Sequence, residues 1–495
     1  MASTLPHVDM AIIGAGISGI GMAAHLEMAC PGKSYAMFDR REKLGGTWDL
    51  FRYPGIRSDS DMHTLGFKFE PWVHERSIAD GSSILDYLNK IVDERGIRPN
   101  IQLGTTVISA DFRTAEGHWH IVTESAEGRR EQTAGFLYLG AGYYDYDEPY
   151  DAEFAGREDF KGQIVHPQFW PQDLDYAGKK VVVIGSGATA VTVVPAVARK
   201  AAHVTMLQRT PTWMIARPGA DWLANFLRKI LPEETAYKLT RKKNIWFQRM
   251  LFQRARNKPE QVSRLLTKQN RKLLGSAYTE KDFLPPYNPW EQRLCLVPDE
   301  DFFTSVREGR ASVVTDHIDR FDATGIRLKS GEHLDADIIV TATGLALNFG
   351  GKVAYSIDGK EMDKTQHWFY RGCMFSNVPN FAMTFGYLNA SWTLRVDNNA
   401  EYLCRVMQLM DRKGVDIVYP YLPDNHDLEE DDLFDFSSGY LQRGKHLVPK
   451  SAASLPWRLN QNYAEDCRDF EERPVEDGIL RFEKAHGAEQ LQAAE

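Results

Sequence analysis

Two absences narrow this sequence before any motif is read. Its five cysteines (Cys30, Cys295, Cys373, Cys404 and Cys467) include no close pair. That excludes a CxxC redox couple and a zinc ribbon, and the odd, scattered set reads as reduced cytosolic thiols. No metal site is expected. Long apolar runs are also missing: the longest, 181–198, is broken by Gly185, Gly187 and Pro195, which reads as strand, turn and helix rather than a membrane span. The opening MASTLPHVDM has neither a basic n-region nor an apolar h-region, so a secretory signal is not expected. These features predict a soluble cytoplasmic protein with no transmembrane segment. The net charge of −9 argues against a nucleic-acid partner. At 495 residues the chain exceeds one compact core, and two or three domains are expected.

What is present is a pair of nucleotide-binding signatures. The apolar run VDMAII is followed by GAGISG (14–19) and then by GMAAHLEMA, the order strand, glycine turn, helix. In that turn Gly14 permits the tight bend, Gly16 lets backbone approach a pyrophosphate, and Gly19 lets the helix pack on its strand. Ser18 sits within the same anion-facing turn, at the positive end of the helix. A second strand, SYAMFD, ends in Asp39, where a carboxylate can accept hydrogen bonds from ribose hydroxyls. The pattern returns at KKVVVIGSGATA, with Gly185, Ser186, Gly187, Ala188, Thr189 and Ala190 forming the turn. Its second strand ends not in an acid but in Gln208-Arg209-Thr210. A cation and a hydroxyl at that position suit the 2′-phosphate of NADP. One acid-ended and one arginine-ended unit point to two dinucleotides, FAD on the first and NADPH on the second.

The fold class expected is α/β, with two Rossmann-like dinucleotide-binding domains and a helical insertion. The boundaries read from the sequence are a first FAD-binding part at 1–147 and a first NADP-binding part at 148–215. A helical insertion follows at 216–284, then a second NADP-binding part at 285–344 and a second FAD-binding part at 345–495. TTVISADF and GHWHIVTES predict strands of a small meander, while FLYLGAG and DIIVTATG predict strands that close in glycine turns. The stretch 239–258 is strongly basic with interleaved aromatics. A solvated amphipathic helix accounts for it, and peripheral contact with anionic lipid is the alternative. The loops near Trp392 and Phe434 are expected to fold over the bound flavin.

Four segments carry a family resemblance: GAGISG, GGTWDLFRYPGIRSD (45–59), FKGQIVHPQFWP (160–171) and GSGATA. Together they resemble the type I Baeyer–Villiger monooxygenases, relatives of the flavin-containing monooxygenases. Trp170 in the third segment stands where the latter usually carry Tyr. PYNPWEQRLCLVPD and PWRLNQNY make the chain look like the ethionamide-activating branch. The resemblance implies that Asp39 and the segment Gly46, Thr47, Trp48, Asp49 and Leu50 line FAD, with Val107 meeting the adenine through its backbone. It places Arg57, Ser58 and Asp59 where flavin and nicotinamide meet, and makes Arg293 the catalytic arginine with Asp59 orienting it. A lysine often precedes that arginine in other branches; Gln292 stands here. His166 and Trp170 are implied to act at a hinge between domains rather than in proton transfer.

The activity so implied uses NADPH and O2 to convert a small-molecule ketone to an ester or lactone through a C4a-peroxyflavin. S-oxygenation of sulfides or thioamides at the same site is also implied. The alternative is an N/S-oxygenating flavin-containing monooxygenase without ketone activity. A flavin disulfide reductase would need a cysteine pair beside the flavin, and the cysteine spacing argues against it.

Overall fold

A computed structural model describes residues 5–433 and 438–486. Each glycine turn follows a strand that lies between parallel neighbours. In the first, strand β1 (His7–Ile13) leads into helix α1 (Ile17–Ala29) and strand β2 (Tyr35–Phe38). β1 pairs in parallel with β2, and β2 with β3 (Ile101–Gln102). The sequence of α1 uses small residues for a reason. Residues Ser18 to Leu26 of the helix are all buried, and a Cβ on Gly21 would stand 2.5 Å from Val396 and 2.6 Å from Phe67. The helix is hydrophobic on all sides because it is covered on all sides.

Strands β4 (Thr106–Arg113), β5 (His118–Ser125) and β6 (Gly128–Leu139) form the expected antiparallel meander. The apolar run FLYLGAG is not a separate strand but the buried end of β6, whose polar first half extends back to Gly128. That end lies beside β1 in parallel, with Ile13 opposite Leu139, so the meander is continuous with the dinucleotide sheet. Late strands at Ala354–Ile357 and Phe381–Met383 join the same sheet on β4 and β6.

The second sheet is wholly parallel. It contains β7 (Gln163–Val165), β8 (Lys180–Ile184), β9 (His203–Gln208), β10 (Ala311–Thr315) and β11 (Ile338–Thr341), in the order β10-β9-β8-β11-β7. Helix α2 (Ala188–Val197) follows β8 at the second glycine turn. The near-continuous apolar strands, such as KVVVI, fit a sheet covered on both faces.

The segment between β9 and β10 is helical as expected. Its main helices are α3 (Trp222–Ile230), α4 (Glu233–Asn257) and α5 (Pro259–Leu274). The first of these helices begins at Trp222. Met214–Arg217 is a strand paired in parallel with Cys295–Pro298, and this two-stranded stem closes the base of the insertion. Among the described residues no helix is long and apolar enough to cross a membrane. The cysteines are all free; four are buried and Cys467 is partly so.

Charge fastens the insertion to the first unit. Arg241 of α4 donates to the carboxylate of Asp397 at 2.9 Å, and to the backbone carbonyls of His63 and Gly66 at 3.1 and 2.5 Å. Asp397 lies on helix α6 (Trp392–Lys413) and also meets His25 Nε2 of α1 at 3.0 Å. Arg241 and Asp397 are both buried. Removing one partner strands the other in low dielectric, at a cost of about 3–5 kcal/mol. Arg241→Met is therefore expected to lower the unfolding free energy by roughly that amount in urea titrations, whereas a loss below about 1 kcal/mol would mean the pair contributes little.

Candidate active site

Both glycine turns border one cavity of about 670 Å³, whose wall includes Gly14, Gly16, Ser18, Asp39 and Thr47 from one side and Ala188, Thr189 and Thr192 from the other. The first turn is closed by contacts that only glycine allows. Gly14 has φ +103°, and a Cβ there would stand 2.8 Å from the Gly140 carbonyl oxygen. A Cβ on Gly19 would stand 1.9 Å from the Gly14 oxygen, so Gly19 packs the helix on its strand and does not reach the cavity wall. Gly16 faces Gly46 instead, Cβ to Cα 3.5 Å. It caps α1 without any side-chain hydrogen bond, leaving first-turn N–H groups for a ligand.

Asp39 keeps its place at the rim. Its oxygens accept from the amides of Ala15 and Arg41 at 2.8 and 2.9 Å. Burial pushes its carboxyl up, and those two amides oppose the shift. Each oxygen retains a lone pair for a further donor. Ser18 lines the cavity, and its Oγ also accepts from Trp392 Nε1 at 2.8 Å, so it ties α1 to α6. Trp392 is the first residue of α6, not part of a loop, and its ring stacks on Tyr143 at 5.1 Å. Phe434 lies outside the described residues.

The segment 45–59 divides. Gly46, Thr47 and Trp48 line the cavity, and Thr47 Oγ1 meets Tyr146 OH at 3.1 Å. Asp49 and Leu50 do not line it. The Asp49 carboxylate is buried between Arg41, at 2.5 Å, and Arg52; two guanidinium partners turn it away from the cavity. Val107 lines the wall. Arg57, Ser58 and Asp59 all reach the cavity, but with distinct partners. Arg57 is paired with Asp301. Ser58 is buried and accepts from the Ala79 amide at 3.2 Å.

Asp59 meets Arg293, Oδ2 to Nη1 3.0 Å, and both side chains face the cavity. Arg293 lies just before the stem strand Cys295–Pro298, so the insertion's base aims it. Asp59 holds the guanidinium pKa further above its ordinary range, against the effect of burial. Arg293 therefore carries a fixed positive charge. Tyr143 and Tyr144 stand near it, their hydroxyls 2.5 Å apart, and burial pushes both phenols up so that they stay neutral. Trp290 lines the same region with φ +69°.

The second turn repeats the first at its opening glycine and is open at its second. Gly185, at φ +127°, would place a Cβ 2.3 Å from the Ala342 oxygen, while a Cβ on Gly187 would meet nothing within 4 Å. Ala190 is buried in the helix, and Ser186 Oγ donates to the Thr210 carbonyl at 3.0 Å. None of Gly185, Ser186, Gly187, Ala190, Arg209 and Thr210 lines the cavity itself. Arg209 is exposed at the end of β9 and forms no salt bridge among the described residues. Gln208 is buried, donating to the Asp282 carbonyl and Thr315 Oγ1, both at 2.8 Å. His166 and Trp170 stand away from the cavity wall. His166 accepts from the Gln168 amide, with burial lowering its pKa, and Trp170 packs edge-on against Tyr176.

Several wall residues were not singled out from the sequence: Tyr143, Tyr144 and Tyr146 after β6, and Asn244 and Gln248 of α4. The tyrosines follow a glycine turn that was itself recognised, in the run AGYYDYDEP. Asn244 and Gln248 are one turn apart and could have been read as a polar stripe on the inner face of α4.

Residues 76–351, more than half of the chain, match the flavin-binding monooxygenase-like family model, and residues 12–75 match an NAD(P)-binding Rossmann-like domain. The chain belongs to the flavin-binding monooxygenase-like family. This family member is 49% identical over 480 residues to the FAD-containing monooxygenase EthA of Mycobacterium tuberculosis, covering 97% of this chain and 98% of that one. It is 46% identical over 480 residues to a probable FAD-binding monooxygenase, AlmA, of Acinetobacter baylyi, covering 97% and 96%. Its fold is shared with a solved oxidized steroid monooxygenase bound to NADP, at TM-score 0.76 and 21% identity over 97% of this chain and 100% of that one.

The contrast between Gly185 and Gly187 is directly testable. Gly185→Ala is expected to cost about 2 kcal/mol or more, because the new methyl meets backbone at a positive φ. Gly187→Ala should stay within about 1 kcal/mol of the parent in the same unfolding assay. Equal costs would contradict the geometry of the turn.

Proposed function

We propose that this family member is an NADPH-dependent Baeyer–Villiger monooxygenase. In this reading it inserts one atom of O2 into small ketones to give esters or lactones, and also oxygenates sulfides or thioamides. The carrying observation is the Asp59–Arg293 pair on a cavity bordered by two dinucleotide turns. The names of the relatives support FAD as the flavin, and the arginine-ended second unit supports NADPH as the reductant. We assign 1–147 and 345–495 to FAD, 148–215 and 285–344 to NADP, and 216–284 to the insertion. The residues present fit these groups. The glycine-lined turn at Gly14, Gly16 and Gly46, with Asp39 at its rim, would hold FAD. The open space beside Gly187, with Arg209 and Thr210 beyond it, would hold NADP.

When bound, the flavin supplies hydride acceptance and activation of O2; the chain supplies position, charge and dryness. Arg293 stabilises negative charge as it develops on the substrate carbonyl oxygen, and being always protonated it does not quench that charge by proton transfer. Asp59 positions the guanidinium. Tyr143, Tyr144, Trp290 and Trp392 form an aromatic wall that limits water near the cation, which strengthens its effect.

Arg293→Ala should retain flavin and its reduction by NADPH while ester formation falls by about 10²–10³-fold; product formation at the parent rate would remove Arg293 from the chemistry. Sulfoxide formation without ester in the parent protein would favour an N/S-oxygenating flavin-containing monooxygenase instead. Arg209→Ala should raise KM for NADPH by about tenfold or more while leaving NADH nearly unchanged, since only NADPH carries the 2′-phosphate. Equal effects on both cofactors would place the phosphate elsewhere.

A further inference from the structure

The charge of this chain is unevenly distributed. Residues 222–272 hold 14 Lys and Arg against three Asp and Glu, within a chain whose net charge is −9. The same three helices carry six of the eleven large hydrophobic residues that are exposed among the described residues: Trp222, Phe226, Ile230, Leu239, Trp246 and Leu265. The six hydrophobic side chains face away from the core, so packing does not account for them.

Their spacing is regular. On α3, Trp222, Phe226 and Ile230 recur every four residues, one stripe of an α-helix, with Lys229 exposed beside them. On α4, Lys238, Lys242, Trp246, Arg249 and Gln253 share one exposed stripe, so Trp246 has a cation one turn to either side. Leu265 of α5 sits between Arg264 and Lys268. Lys229, Lys242, Arg249 and Lys268 form no salt bridge among the described residues. A different side of α4 is the anchored one, through Arg241 and Asp397. Aromatic and aliphatic tips flanked by unpaired cations match a bilayer surface, where the rings enter the headgroup boundary and the cations meet anionic lipid. Two adjoining helices each expose a tryptophan, Trp222 of α3 at 75% and Trp246 of α4 at 63%, an apolar patch of the kind that marks a contact surface.

The face adjoins the active site. Trp222 belongs both to the exposed stripe and to the cavity wall, as do Lys243, Asn244 and Leu251 of α4 to that wall. We propose that the outer face of α3, α4 and α5 docks on anionic lipid membranes, setting the cavity mouth against the bilayer so that an apolar substrate enters from lipid. The docking stands on the observations above; the route for substrate rests also on the monooxygenase reading.

Flavin-loaded full-length protein should sediment with vesicles of phosphatidylcholine plus phosphatidylglycerol, less with phosphatidylcholine alone, and less at high salt. Each cation removed should weaken partition about fivefold, so Lys242→Glu with Arg249→Glu should weaken it roughly 25-fold or more. Phe226→Ser with Trp246→Ser should weaken partition to both vesicle types. Both double variants should keep the parent's flavin content and its turnover of a water-soluble sulfide, while KM for a vesicle-dissolved apolar substrate rises. Equal sedimentation with the two vesicle types, or variants that bind as the parent does, would overturn the proposal. So would light scattering that shows a dimer or larger assembly dissolved by the same substitutions, because the face would then join copies of this chain. Loss of turnover of the soluble sulfide in the parent would instead count against the monooxygenase reading and leave the docking result standing.

Discussion

The contact on which the site depends is the ion pair between Asp59 and Arg293. Asp59 comes from the end of the 45–59 segment beyond β2, and Arg293 from the chain returning out of the insertion. Their 3.0 Å contact joins parts of the chain more than 230 residues apart. Without Asp59 the guanidinium would stand among neutral tyrosines, a poor environment for a charge. With it, a fixed cation is held at the cavity wall and the wall around it can remain apolar. The stem strands Met214–Arg217 and Cys295–Pro298 make this placement possible, because they bring the end of the insertion back beside its start.

A second constraint, independent of the chemistry, keeps the roof over the cavity. Arg241 and Asp397 are buried together, and His25 shares the same carboxylate. One contact therefore links α4, α6 and α1, the last of which begins at the first glycine turn. The inner face of α4 presents Asn244 and Gln248 to the cavity, and its outer face presents Lys242, Trp246 and Arg249 to the surroundings. The insertion thus has one side that completes the site and another whose composition is unusual for a water-facing helix. That division follows from the 3.6-residue period of the helix, not from any separate domain.

How far the sequence reveals this depends on whether a feature is local. The glycine turns are legible because strand, turn and helix follow one another directly, at His7–Ala29 and again at Lys180–Val197. The meander and the helical insertion were legible from periodicity. What could not be read was the destination of a side chain whose partner is distant in sequence. Asp49 looked like a cavity residue, and only the fold reveals Arg41 and Arg52 around it. Ser18 Oγ accepts from Trp392, 374 residues later, a tie that no local pattern signals. The tyrosines after β6 carried no motif at all; their role arises because β6 runs parallel to β1 and delivers Tyr143 and Tyr144 next to Arg293. Likewise the pairing of Met214–Arg217 with a strand some 80 residues later carries no local signal.

The most direct test of Baeyer–Villiger chemistry at this site is the fate of oxygen. Flavin-loaded protein, NADPH and ¹⁸O2 would be supplied with a panel of simple ketones, and products read by mass spectrometry. An ester or lactone bearing one ¹⁸O is the expected result. NADPH consumption that no ketone accelerates, yielding hydrogen peroxide and no labelled ester, would contradict the role assigned to Arg293 and its cavity.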